Sequence, residues 1–187
     1  MIKRALDFVL SALALLVFAV PIALVALAVR LTSPGPVLYW SERVGQGNRT
    51  FRMPKFRSMR VDTPVVATHL LESPERWLTP VGSFLRRSSL DELPQLWSIL
   101  VGDMSIVGPR PALFNQHDLI ELRTQRGVHR LRPGLTGWAQ INGRDEIPIQ
   151  EKVGYDAWYL QHQSLLLDVR IILLTAMKVL RKEGVAH

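Results

Sequence analysis

The chain of 187 residues contains no cysteine. Disulfides, thiolate zinc sites and thiol nucleophiles are excluded by that absence, and the composition suits a reducing compartment. Acidic residues are few, 16 against 23 Lys and Arg, which gives a formal charge of +7 and a pI near 10.4. An excess of this kind points to anionic partners, whether nucleic acid, lipid headgroups or phosphorylated substrates. Yet 48% of the residues are hydrophobic, and a chain both basic and apolar favours a membrane surface over nucleic acid. No nucleic-acid partner is expected. The length allows one domain with a real core, not two.

Charge is also missing from Phe8 to Val29, where Ser11 alone breaks the apolar run. The run reaches the ~20 residues needed to cross a bilayer. A signal peptide would explain Lys3 and Arg4 ahead of it and Ala26-Leu27-Ala28 near its end, but the apolar stretch is too long. A spanning helix and a re-entrant helix remain. Pro21 interrupts the run and kinks a helix there. Lys3 and Arg4 lie on one side, and Arg30, Arg43, Arg49 and Arg52 on the other. The positive-inside rule places both clusters in the cytoplasm, and re-entry satisfies it. The expected organisation is a re-entrant membrane helix over 1–32 followed by a membrane-associated catalytic domain over 33–187. Asp7 is expected to pair with Lys3 or Arg4 across a helical turn.

Ser33-Pro34-Gly35-Pro36 turns the chain. Runs at 37–40 and 50–53, separated by Gly45-Gln46-Gly47-Asn48, predict a β-hairpin, with Pro54 confining its second strand to an edge. In Lys55-Phe56-Arg57-Ser58-Met59-Arg60 basic and apolar residues alternate. Lys55 and Arg57 are candidates for phosphate contact, against a plain solvated strand face. The segment from Val61 to Pro80 has three prolines and no period, and reads as a loop. Ser164 to Lys182 reads as a helix closed by Gly184, too often interrupted by charge to span a bilayer, and so lying on or near the membrane. Arg123 to Arg132 reads as a basic solvated face or a lipid-phosphate contact. The fold class is therefore mainly α with a small β-hairpin (α+β), combining a re-entrant N-terminal helix with surface-lying amphipathic helices.

At the centre stands Ser88-Ser89-Leu90-Asp91-Glu92-Leu93-Pro94-Gln95-Leu96. Ser89 with Glu92 three residues on is a capping-box pattern ahead of an apolar helix that ends at Gly102. Arg86, Arg87 and Arg110 flank the two carboxylates in sequence and offer bidentate phosphate contacts. A carboxylate beside a diphosphate needs cations, and Mg²⁺ held between the dyad and phosphate oxygens would complete the neutralisation. A carboxylate so placed can attack phosphorus and form an acyl phosphate. Adjacent residues point in different directions, so one attacks while the other is free to hold the metal. These residues alone also allow a Mg²⁺-dependent phosphohydrolase, or a non-catalytic module that binds anionic lipid.

Leu90-Asp91-Glu92-Leu93-Pro94-Gln95-Leu96, Gly102-Asp103-Met104-Ser105 and Val107-Gly108-Pro109-Arg110-Pro111 resemble the bacterial sugar transferases, the small monotopic phosphoglycosyl transferases. Lys3-Arg4 with Asp7, Ser33-Pro34-Gly35-Pro36, Lys55-Phe56-Arg57-Ser58-Met59, Arg132-Pro133-Gly134-Leu135-Thr136-Gly137 and Asn142-Gly143-Arg144 extend the resemblance over nearly the whole chain in the family's order. The resemblance implies transfer of a phosphosugar from a UDP-sugar to polyprenyl (undecaprenyl) phosphate with release of UMP, as the first membrane step of glycoconjugate assembly. It implies Asp91 as nucleophile and Glu92 as its partner at Mg²⁺, with both carboxylates as metal candidates. Substrate-binding residues would be Arg86, Arg110 between Pro109 and Pro111, Arg144, and the Lys55 and Arg57 of the strand. The implied location is the cytoplasmic face of the bacterial inner membrane, with membrane lipids as partners. A homodimer is compatible with the sequence, and no residue decides it.

Overall fold

The computed structural model describes residues 2–64, 66, 71, 73–143 and 147–181. Two helices open the chain, α1 (Ile2–Val17) and α2 (Ala19–Thr32), bent by 62° at the single residue between them. The bend falls at Phe18, not at Pro21. The physical cause is still the proline: its missing N–H and its ring both act on the carbonyl one turn back, at Val17. Neither helix alone is long and apolar enough to cross a membrane, whereas the bent pair together passes that test.

The predicted hairpin is present and longer than expected, with β1 (Leu38–Val44) antiparallel to β2 (Thr50–Phe56). Pro54 lies within β2, opposite Trp40, and β2 is an edge strand, where a missing N–H costs no ladder bond. After the 3₁₀ turn Pro74–Trp77 come α3 (Gly82–Ser88) and a second 3₁₀ turn, Leu90–Glu92. α4 (Gln95–Val101) follows and ends at Gly102, whose φ of 104° is the left-handed conformation expected of a C-cap glycine. β3 (Ser105–Val107), β4 (Ala112–Leu113), α5 (His117–Gln125), β5 (Gly134–Thr136), α6 (Trp138–Asn142), α7 (Ile149–His162) and α8 (Leu165–Arg181) follow, so the described residues are mainly helical with two small sheets.

Two pairings carry the site. β4 adds antiparallel to β1, Val44 facing Ala112, so the segment just before β4 runs beside the hairpin. β3 pairs in parallel with β5, which lets the backbones around Gly108 and Gly134 meet. A Cβ on Gly108 would lie 2.3 Å from the Arg132 carbonyl oxygen, and one on Gly134 would lie 2.1 Å from the Gly108 nitrogen. Only glycine permits that crossing.

The core is distributed along the interfaces between helices and sheets. Val25 and Val29 of α2 pack with Phe56 and Leu85; Ala14 and Leu15 of α1 cover Leu96, Ile99 and Met53. Polar groups at the head of α1 lock it down further. Arg4 donates to the carbonyls of Ile99 and Leu100 (2.6 Å for the latter), closing the C-terminal end of α4. The expected pairing of Asp7 with Lys3 or Arg4 does not form. Asp7 is buried and accepts the Ile106 N–H at 3.1 Å, while Lys3 pairs with Asp168 of α8 at 2.5 Å. A strand-edge N–H without a partner is costly inside a protein, and the Asp7 side chain satisfies this one. Asp168 also accepts the Tyr159 hydroxyl at 2.6 Å, so α1, α7 and α8 meet at one carboxylate. Burial and that carboxylate push the Tyr159 phenol well above its ordinary value.

Candidate active site

The expected capping box is not formed. Ser89 has φ 56° and ψ 16°, left-handed values that end α3, and its side chain caps nothing. Asp91 and Glu92 occupy the 3₁₀ turn that leads through Leu93 and Pro94 into α4. Glu92 does not reach back to Ser89; it is held from two other elements. Lys55, near the end of β2, donates to Glu92 Oε1 at 2.8 Å, and Arg110, just ahead of β4, donates to the same oxygen at 3.3 Å. Two cationic donors on one carboxylate oxygen outweigh the single backbone N–H that the cap would have offered Glu92.

The two carboxylates are consequently unlike. Asp91 is 8% exposed. Its pKa is raised from 3.8 to about 6, mainly by burial and further by the neighbouring Glu92 charge, against the pull of Lys55, Arg86 and Arg110. Burial also pushes Glu92 up, but Lys55 and Arg110 outweigh it through both charge and hydrogen bonds and hold the group well below the usual glutamate range. Two adjacent acids with separated proton affinities are a sign of divided chemical labour. Glu92 is a fixed anion clamped between cations. Asp91 is poorly solvated, and a poorly solvated carboxylate is a stronger nucleophile than one wrapped in water.

The expected site residues around the dyad that the structure describes divide into three groups. Lys55, Arg86 and Arg110 gather around the dyad: Lys55 and Arg110 bond Glu92, and the charge of Arg86 acts on Asp91. Arg57 turns elsewhere. It is buried and donates to the carbonyls of Pro36 at 2.7 Å and Ser33 at 3.0 Å, tying the strand to the turn after α2. Pro109 and Pro111 act through their backbones, Pro109 accepting the Gly134 N–H at 2.8 Å and Pro111 accepting from Arg43 at 3.2 Å. Both hold the Arg110 segment in place. Arg144 lies outside the described residues.

Arg123 and Asp156 were missed as functional support. The basic stretch from Arg123 reads as a solvated face, yet Arg123 is buried. It grips Asp156 Oδ2 through Nε and Nη2 at 2.9 and 2.7 Å and donates Nη1 to the Arg110 carbonyl at 2.8 Å. Burial pushes the Asp156 carboxyl up, opposed by Arg123. The pair sets the backbone from which Arg110 reaches Glu92. A signal was present: Arg123 lies four residues after the buried Leu119 of α5, and Asp156 sits between Val153 and Ala157 on the inner face of α7.

For Mg²⁺, the described residues hold no group of three or more His, Cys, Asp or Glu side chains. Two carboxylates nevertheless suit an ion that takes most of its ligands from water and substrate phosphate.

Comparison with known proteins assigns the chain to a family. The family described as bacterial sugar transferase matches residues 1–182. A UDP-glucose:undecaprenyl-phosphate glucose-1-phosphate transferase of Xanthomonas campestris pv. campestris is 46% identical over 95% of this chain, which covers 38% of that protein. The protein of the same name from Escherichia coli (strain K12) is 44% identical, again over 95% of this chain and 40% of its own length. An uncharacterized sugar transferase of Bacillus subtilis (strain 168) is 40% identical over 98% of this chain and 90% of its own length. The chain thus spans about two fifths of the first two relatives and nearly all of the third. With the match running through the dyad, the Arg110 segment and the bent helix pair alike, this chain belongs to the bacterial sugar transferase family.

Proposed function

We propose that the protein transfers a phosphosugar from a UDP-sugar to polyprenyl phosphate by way of a covalent intermediate on Asp91. The observation that carries this reading is the buried Asp91 beside a Glu92 clamped by Lys55 and Arg110. The names of the relatives support it, since they specify glucose 1-phosphate or N-acetylgalactosamine phosphate transfer to undecaprenyl phosphate.

In the first step a carboxylate oxygen of Asp91 forms a bond to the β-phosphorus of the UDP-sugar. The bond from that phosphorus to the bridging oxygen breaks, and UMP leaves with the bridging oxygen and its electron pair. In the second step a phosphate oxygen of the polyprenyl acceptor attacks the same phosphorus. The acyl-phosphate bond breaks, Asp91 returns as carboxylate, and a polyprenyl diphosphosugar departs. Lys55, Arg86 and Arg110 offset the diphosphate charge, which two carboxylates would otherwise repel. Glu92 and Asp91 would hold Mg²⁺, which when bound would supply further positive charge at the leaving group.

The membrane placement rests on the helices. Leu6, Leu13, Leu16, Val20, Leu24 and Leu27 are exposed along the bent pair, an apolar face no soluble protein would leave in water. Leu166, Val169, Leu173 and Met177 form an exposed stripe on α8, at the spacing of a helix lying in the interface. With both basic clusters on one side, that side is the cytoplasmic face of the bacterial inner membrane.

The test is incubation of the purified protein with Mg²⁺ and UDP-glucose or UDP-N-acetylgalactosamine, without lipid acceptor. Intact-mass spectrometry is expected to find one phosphosugar on the wild-type chain, mapped to Asp91, and none on Asp91→Asn. Release of UMP with no adduct under any UDP-sugar would refute the covalent route.

A further inference from the structure

The face of the hairpin that meets the dyad carries a residue the transfer steps leave unused. Register partners in a sheet put their side chains on the same face, with Cβ atoms about 4.5–5.5 Å apart. Tyr39 is the partner of Lys55, Ser41 of Met53 and Arg43 of Phe51. Lys55 reaches Glu92, and Met53 packs with Leu96 and Ile99 of α4, so this is the face turned to the dyad and the helix behind it. Tyr39 thus stands next to the lysine that clamps Glu92.

The two ends of the row Tyr39, Ser41 and Arg43 differ in chemistry. Arg43 donates to Ser41 Oγ at 2.9 Å and to the Pro111 carbonyl at 3.2 Å, which fixes a guanidinium and the Arg110 segment toward the hairpin turn. Tyr39 and Lys55 lie at the open end of the hairpin. Glu92 is bonded from both sides, by Arg110 and by Lys55, so the dyad lies between the two ends. Ser41, in the middle of the row, is 1% exposed, whereas Tyr39 is 42% exposed. The Tyr39 hydroxyl has no hydrogen-bond partner among the described residues. Trp40, the next residue, points to the opposite face, where the Arg52 guanidinium lies 5.5 Å from its ring. Of the two exposed aromatics on β1, Tyr39 is the one beside the dyad with polar capacity to spare.

We infer that Tyr39 contacts the sugar of the UDP-sugar, its ring against the pyranose and its hydroxyl hydrogen-bonded to a sugar hydroxyl, and so helps to select the sugar. The assignment rests on the transfer reading above, in which Asp91 attacks the phosphorus that bears the sugar. The second phosphate of the donor carries charge, and the end of the row with Arg43 and Arg110 attracts it. The nucleoside follows that phosphate. The sugar, joined directly to the attacked phosphorus, is left at the other end, where an aromatic ring and an unused hydroxyl suit a neutral, hydroxyl-rich group. An exposed tyrosine can also anchor a protein at a membrane interface, but anchoring asks nothing of the face it shares with Lys55.

The test is isothermal titration calorimetry on the full chain in non-ionic detergent, in an Asp91→Asn background that cannot form the adduct. The probes are UDP-glucose, UDP-galactose and UDP-N-acetylgalactosamine, after the names of the relatives, and UDP, which has the diphosphate and nucleoside but no sugar. For the UDP-sugar that binds tightest, Tyr39→Phe is expected to weaken binding about threefold to tenfold, the net worth of one hydrogen bond. Tyr39→Ala, which removes the ring as well, should weaken it more than tenfold. UDP binding is expected to stay within about twofold in both variants, at the precision such an estimate allows. Tyr39→Phe keeps the ring and its packing, so it tests the hydroxyl even if Tyr39→Ala does not fold. Equal losses for UDP and the UDP-sugar overturn the sugar contact in favour of the nucleotide or the frame. Unchanged UDP-sugar binding together with weaker sedimentation on phosphatidylglycerol vesicles overturns it in favour of a membrane anchor. Either result leaves the Asp91 adduct standing, whereas failure of every UDP-sugar to bind the Tyr39 parent refutes the transfer reading and the contact with it.

Discussion

Asp91→Asn separates catalysis from stability, and the structure assigns a sign and a size to both effects. The Asp91 pKa is raised from 3.8 to about 6 because the carboxylate is buried beside another anion. A group whose folded value is raised contributes stability that is complete below its unfolded pKa and is lost as pH rises through the folded one. For Asp91 that window runs from about pH 4 to about pH 7. Above it, keeping the ionised side chain in place costs about 3 kcal/mol, at ~1.4 kcal/mol per pH unit. Asparagine fills the same space without the charge. The variant is therefore expected to lose adduct formation entirely and to be more stable than wild type at pH 8, by up to about 3 kcal/mol. At pH 4 the two should converge. Urea unfolding in detergent, followed by tryptophan fluorescence across that range, measures the difference. A variant equal to or less stable than wild type at pH 8 would refute the claim that Asp91 is held as a strained anion. The same reasoning predicts that adduct formation in wild type falls on acidification with a midpoint near the Asp91 value, not near 4.

Two further predictions concern the frame around the dyad. Arg123→Met takes from Asp156, 1% exposed, its two guanidinium hydrogen bonds and leaves it only the charge of Lys152. The expected cost is about 3–5 kcal/mol by thermal or urea unfolding. Replacing Asp156 by Leu in the same chain should recover most of the stability but not the UDP-sugar KM, because the Arg110 carbonyl stays unheld; recovery of both would argue against a positioning role. Pro21→Ala restores an N–H one turn after Val17 and should straighten the bend at Phe18. Cysteines introduced near the chain start and near Thr50 label from one side of the membrane in the parent protein. In the Pro21→Ala background a fraction is expected to label from opposite sides, and unchanged labelling would show that packing, not the proline, holds the bend.

Several elements were legible in the sequence because their causes are local. Absent charge over Phe8 to Val29 marks the apolar, bent helix pair α1 and α2. Turn residues at 45–48 mark the hairpin, Pro54 its edge, and Gly102 the end of α4, each through a backbone preference that acts within a few residues. The dyad was legible as a knot of charge, two adjacent carboxylates with arginines on either side in sequence, while its capping-box pattern pointed to a helix start and its proposed chemistry came from the family resemblance. Tertiary structure alone decided the rest. Ser89 and Glu92 satisfy a capping pattern, but Lys55 and Arg110, 37 and 18 residues away, took Glu92 instead. Arg57 and Arg123 read like the other basic residues, and only packing sent one to the Ser33 and Pro36 carbonyls and the other to Asp156. Lys3, Arg4 and Asp7 are one turn apart, yet each found a partner on a different element. Sequence patterns encode short-range backbone preferences and hydrophobic periods. The choice of which distant charge meets which depends on where whole helices pack, and in a buried setting that choice outweighs the local alternative because an unpaired charge there costs most.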